Sequence, residues 1–101
     1  MDDKKLVNMS PSYKRDIENA ARILKEAGCR EVFLFGSLAE GTSRKGSDID
    51  LAVRGCPPER FFHVFGRLLL ELENPVDLID LDRGDDFSRR LLREEIMVYV
   101  S

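Results

Sequence analysis

The sequence predicts a small α/β domain, helices shielding a mixed sheet of three or four strands, and three observations carry that reading. Segments with apolar residues at helical spacing alternate with short apolar runs bounded by glycine or proline, in the order helix, strand, strand, helix, strand, helix. The run Val32-Phe33-Leu34-Phe35 is apolar without alternation, the mark of a strand buried on both faces. From residue 48 the pattern becomes Asp48-Ile49-Asp50-Leu51, acids alternating with aliphatics at the period of a strand. At 101 residues and 43% hydrophobic content, the chain suits one compact domain over 1–101.

Ser10-Pro11 has the form of an N-cap followed by proline at the first helical position. Tyr13, Ile17, Ala20, Ala21 and Leu24 follow at helical spacing, and Gly28 is a natural stop. Residues 31–35 form the first strand. Residues 36–47 read as a glycine-bearing loop, with room for a short helical turn over Leu38-Ala39-Glu40. Residues 48–54 form the second strand, close enough to the first in sequence to pair with it antiparallel. Gly55-Cys56-Pro57-Pro58 breaks that strand and opens a second helix, with Phe61, Phe62, Phe65, Leu68, Leu69 and Leu72 as its expected core face. Asn74-Pro75 ends the helix, and 76–81 form a third strand whose return through a helix makes the sheet mixed. Gly84 and Asp85-Asp86 lead into a third helix carrying Phe87, Leu91, Leu92 and Ile96. Met97-Val98-Tyr99-Val100 is either a short last strand or docked coil.

Composition excludes several classes. A net charge of −3 and a pI of about 5.2 give no general attraction to nucleic acid. No apolar run reaches the length of a membrane span, so no membrane partner is expected. The start, Met1-Asp2-Asp3-Lys4-Lys5, lacks the apolar core of a signal peptide, and a cytoplasmic protein is expected. Cys29 and Cys56 fit no metal-ligand spacing and read as free thiols. His63, set among phenylalanines on the second helix, reads as a partly exposed helix residue, and Arg89-Arg90-Arg93 as a solvated helix face.

The chemistry-bearing stretch is 36–50. Asp48 and Asp50 would project from one side of a strand, with Ile49, Leu51 and Val53 packing on the other. Two such carboxylates beside the small-residue turn Gly36-Ser37 make a plausible site for magnesium and a nucleotide. Asp77 and Asp80 lie three apart, so on a regular strand they face opposite ways, and only one can join Asp48 and Asp50.

The Gly36-Ser37 pair, ten intervening residues and Asp48-x-Asp50 resemble the nucleotidyltransferase superfamily that includes DNA polymerase beta and kanamycin nucleotidyltransferase. With Ser47-Asp48-Ile49-Asp50-Leu51 and Val76-Asp77-Leu78-Ile79-Asp80-Leu81, the chain is similar to the smallest branch. These are the minimal nucleotidyltransferases, MntA-type antitoxins encoded beside a HEPN-domain toxin. The resemblance implies a minimal nucleotidyltransferase fold and magnesium-dependent transfer of AMP from ATP to a tyrosine hydroxyl of the HEPN partner. It implies that Gly36 and Ser37 meet the triphosphate, that Asp48 and Asp50 bind metal and nucleotide, and that Asp77, at the family position, is the third catalytic and metal-binding carboxylate. The chain departs from the pattern after the Gly-Ser pair, where many relatives carry arginines and it has Leu38 and Glu40; Arg44 or Lys45, in the same loop, are the available substitutes. That departure keeps open a second function, a binding module that neutralises its partner without catalysis. Transfer to a small molecule such as an aminoglycoside is a third and weaker reading.

Overall fold

The computed structural model of the protein describes residues 9–41, 46–94 and 97–101. The first helix, α1 (Pro11–Glu26), starts as its sequence dictates: Ser10 is the N-cap and its hydroxyl accepts the Tyr13 N–H at 3.5 Å. Gly28 follows the helix end at φ +99°, a backbone state that favours glycine, and turns the chain into β1 (Glu31–Phe35). Then come the short helix α2 (Gly36–Glu40), β2 (Ile49–Arg54), α3 (Pro58–Glu71), β3 (Val76–Asp80), a single 3₁₀ turn over Leu81–Arg83, α4 (Asp86–Glu94) and β4 (Val98–Tyr99).

The sheet order is β3-β2-β1-β4. Strand β1 pairs antiparallel with both β2 and β4, while β2 and β3, joined through α3, run parallel, so the sheet is mixed. The C-terminal tail is thus a strand, set against β1 by Leu34 opposite Val98. The register divides the sheet into two faces. Val32, Leu34, Ile49, Leu51, Val53 and Leu78 join Ile17, Ala20 and Leu24 of α1 and Val64 and Leu68 of α3 in the main core. On the other face Phe35, Ala52, Leu81 and Leu91 form a smaller cluster, with Phe33, Ile79 and Met97 packed against it.

Several boundaries and faces differ from the expectation. The second strand begins at Ile49, leaving Asp48 just ahead of it. The third ends at Asp80, because the Asp80 carboxylate accepts the Asp82 N–H at 3.0 Å and starts the 3₁₀ turn that takes in Leu81. On α3 the buried stripe is Val64 and Leu68, continued by Leu72 at the C-cap, with Phe61 and Phe65 half-buried, whereas Phe62 and Leu69 are 76% and 58% exposed. The runs Phe61-Phe62 and Leu68-Leu69-Leu70 fit two helical registers, and only docking on the sheet selects one. Likewise Phe87 and Leu92 of α4 stay substantially exposed while Leu91 is buried; Phe87 lies edge-to-face on Phe35. His63 is exposed. Cys29 and Cys56 are buried free thiols, and burial together with a hydrogen bond between them pushes the Cys29 thiol up. Arg44, Lys45 and Ile96 lie outside the described residues. No described helix is long and apolar enough to cross a membrane.

Candidate nucleotide and metal site

The parallel register sets Asp50 of β2 directly beside Asp77 of β3, so the two side chains leave the same face of the sheet. Asp80 pairs with Val53 on the opposite face and is engaged in its turn. Of the two acids left open by sequence, Asp77 is therefore the one that shares a face with Asp50. Its carboxylate accepts the Leu78 N–H at 3.0 Å and is otherwise exposed. Asp48, also exposed, stands one residue before the strand.

Charge is concentrated here. Asp50 is held above the usual carboxylate range, first by burial, then by the charges of Asp77 and Asp48. Across the hairpin, Asp50 pairs with Phe35, and the next residue, Gly36, opens α2 at φ +74°. A Cβ at Gly36 would fall within 3.1 Å of the Asp50 Cγ and closer still to its Oδ2. The glycine is required twice over, for its left-handed backbone and for its contact with the acid. Ser37 follows in the first turn of α2, and its carbonyl accepts the N–H of Gly41. Leu38 is 4% exposed and belongs to the main core, while Glu40 points outward.

Among the described residues, no three His, Cys, Asp or Glu side chains are already gathered as a cage for a metal ion. The donor set nonetheless fits magnesium. Its atoms are hard carboxylate oxygens, and Asp50 and Asp77 are register partners; burial first, and then the charges of Asp77 and Asp48, raise the Asp50 proton affinity, and a divalent cation would offset that repulsion. The cavity of about 590 Å³ between the end of α1 and α3, lined by residues such as Glu26, Arg60, His63 and Arg67, contains none of these acids. The carboxylates occupy the sheet face, and the chemistry argues for that face over this recess.

From sequence, Tyr13 had only a place at helical spacing on α1, and Asp16 was passed over. The Tyr13 hydroxyl donates to the Ser47 carbonyl at 2.7 Å. Asp16, 2% exposed, accepts the backbone N–H groups of Glu73 and Asn74 at 3.0 and 2.8 Å and the Asn74 side-chain amide at 2.9 Å. The available signal was a lone carboxylate on the helix face that also carries Tyr13, Ile17 and Ala20.

A mixed sheet that pairs acids on adjacent strands beneath a Gly-Ser turn defines a nucleotidyltransferase palm, and comparison with known families agrees. The chain belongs to the family described as polymerase beta, nucleotidyltransferase, which matches residues 18–101 and so includes Gly36, Ser37, Asp48, Asp50 and Asp77. Within it the chain has the minimal nucleotidyltransferase fold. It is similar to a chain in the crystal structure of a toxin–antitoxin with AMP-PNP, at 27% identity and a TM-score of 0.58 over 68% of this chain and 60% of that one. A chain of a mutant MntA–HpeT toxin–antitoxin complex shares the fold at 24% identity and a TM-score of 0.64, covering 83% and 70%. So does a chain of the complex of tri-AMPylated Shewanella oneidensis HEPN toxin with MNT antitoxin, at 22% identity and 0.53, covering 71% and 58%. The chain spans 60% of the length of the first of these. No curated protein matches it.

Proposed function

We propose that the protein is the antitoxin of a HEPN toxin and that it acts as a protein adenylyltransferase, moving AMP from ATP to a tyrosine hydroxyl of that toxin with magnesium as cofactor. The observation that carries this reading is the placement of Asp50 beside Asp77 under Gly36, on a face where Asp48 adds a third charge. Family membership supports the reaction class, and the fold shared with a chain of a complex containing a tri-AMPylated HEPN toxin supports the acceptor.

Each residue has a defined task in the transfer. Gly36 lets the backbone approach the triphosphate closely, and Ser37 offers its N–H and hydroxyl to phosphate oxygens. Asp48 and Asp50 hold the metal, with Asp77 completing the set. Bound magnesium supplies the positive charge that lets these carboxylates and a triphosphate share one site. Asp77 takes the proton of the acceptor hydroxyl as its oxygen bonds to the α-phosphorus; the bond to the bridging oxygen breaks and pyrophosphate leaves. The rate advantage comes from in-line positioning and charge stabilisation.

A specific observation favours a second reading. Leu38 is committed to the core and Glu40 is acidic and exposed, so α2 contributes no cation to a triphosphate. A protein that neutralises the toxin by covering it would tolerate that loss. The decisive experiment mixes the protein with α-³²P-labelled ATP, magnesium and a HEPN toxin, read by autoradiography and intact mass. An added AMP mass on the toxin that disappears in Asp48→Asn supports the enzyme. A tight complex without label, with Asp48→Asn still protecting cells, supports the binder instead.

A further inference from the structure

We propose that Tyr13 and Asp16, adjacent on one face of α1, are positioning residues that set the spacing of the acid-bearing segments, Tyr13 acting on Asp48 and Asp16 on Asp77. The inference rests on the reading of Asp48, Asp50 and Asp77 as the metal and nucleotide site, and it adds residues outside the Gly-Ser and acid motifs.

The Tyr13 hydroxyl, at 2.7 Å from the Ser47 carbonyl, holds the peptide group whose N–H belongs to Asp48. Asp48 precedes β2 and has no strand partner of its own, so this bond fixes the backbone on which its carboxylate stands. Asp16 does the same for the other strand. Its three hydrogen bonds to Glu73 and Asn74 hold the turn that delivers Pro75 and then β3, and Asn74 is held again by its amide donating to the Ser12 hydroxyl at 2.9 Å. The two tethered segments are joined directly, since the Ile49 N–H donates to the Pro75 carbonyl at 2.8 Å. A closed circuit results: Tyr13 to Ser47, through Asp48 to Ile49, across to Pro75, back through Asn74 to Asp16. Carboxylates that repel one another need such external support to stay at a fixed separation without a cation.

A buried, fully hydrogen-bonded aspartate is also an ordinary structural anchor, so Tyr13 provides the sharper test. Tyr13→Phe keeps the ring and its packing and removes only the hydroxyl. In the metal-free protein, amide exchange at Ile49, whose N–H donates to the Pro75 carbonyl, should accelerate when followed by NMR. In the transfer assay, the magnesium concentration giving half-maximal rate should rise about 10-fold, the lower end of the range for support-shell substitutions at metal sites. Saturating magnesium should restore kcat. Asp16→Asn, which keeps the shape but weakens the acceptor, should shift exchange at Asn74 and Asp77 in the same way. A Tyr13→Phe protein with a lower unfolding midpoint but unchanged exchange at Ile49 and unchanged magnesium dependence would overturn the inference. If the wild type binds no magnesium and transfers nothing, the functional reading fails. The metal-free exchange then still decides whether Tyr13 sets the Asp48 backbone.

Discussion

The two faces of the sheet have been built for opposite purposes. On one, Leu34, Ile49, Leu51 and Val53 are wholly buried under α1 and α3, and the one buried carboxylate nearby, Asp16, has every partner it needs. On the other, α4 covers the sheet only in part, the cluster is small, and Asp50 lies beside Asp77 with Asp48 near and no cation among the described side chains bonded to any of them. The first face concentrates apolar burial, which stabilises without direction; the second concentrates like charge, which destabilises. The contrast shows where this small fold keeps its stability and where it gives some of it up, on the face to which the proposed transfer is assigned.

The largest expected effect lies on the apolar face. Leu51→Ala removes a fully buried side chain from the centre of the sheet and should cost about 2–5 kcal/mol in urea unfolding. A loss below about 1 kcal/mol would show that the helix-covered face does not hold the domain together. Next is Gly36→Ala, which forces a side chain into a left-handed backbone and against Asp50. It should cost about 1–3 kcal/mol and also remove AMP transfer, because the strain falls on the turn proposed to meet the triphosphate. Retained transfer in a folded Gly36→Ala protein would separate the turn from the site.

Asp50→Asn should act in the reverse sense on stability. With burial and two neighbouring carboxylates disfavouring its charged form, neutralising it should raise the unfolding midpoint while abolishing transfer. The sign with pH follows from the raised native pKa. The folded protein binds this proton more tightly than the unfolded chain does, so the cost is present above the native pKa and is relieved as pH falls through it towards the ordinary carboxylate value. The gap between wild type and Asp50→Asn should therefore close on acidification; a gap that widens would contradict the electrostatic account. Added magnesium should raise the midpoint of the wild type and not of the variant. The smallest effect belongs to neither face of the sheet: Leu70→Ser, at an 87% exposed position of α3, should change stability by less than about 0.5 kcal/mol. A larger change would mean that α3 is covered by a second chain in solution.

Much of the fold was legible because its signals are local. The Ser10-Pro11 start of α1, the bounds of β1 and the break at Gly55-Cys56-Pro57-Pro58 depend on capping, backbone restriction and apolar runs, all properties of a few adjacent residues. The errors came where local pattern leaves two answers. Phe61-Phe62 and Leu68-Leu69-Leu70 allowed α3 either of two buried faces, and the sheet chose the one that leaves Phe62 and Leu69 outside.

By itself, then, the sequence determined the α/β class, the order of the main helices and strands, the Gly36-Ser37 turn and the presence of acids on the strand that follows it. Spacing and residue chemistry suffice for these. Only the tertiary structure decided that Asp77 rather than Asp80 stands beside Asp50, that Leu38 belongs to the core, and that Tyr13 and Asp16 reach the segments before Asp48 and Asp77. Those facts depend on strand register and on contacts between residues far apart in the chain, such as Asp16 with Asn74. One residue of slip would reverse the face of every side chain, and register is set only when the whole apolar face finds its cover.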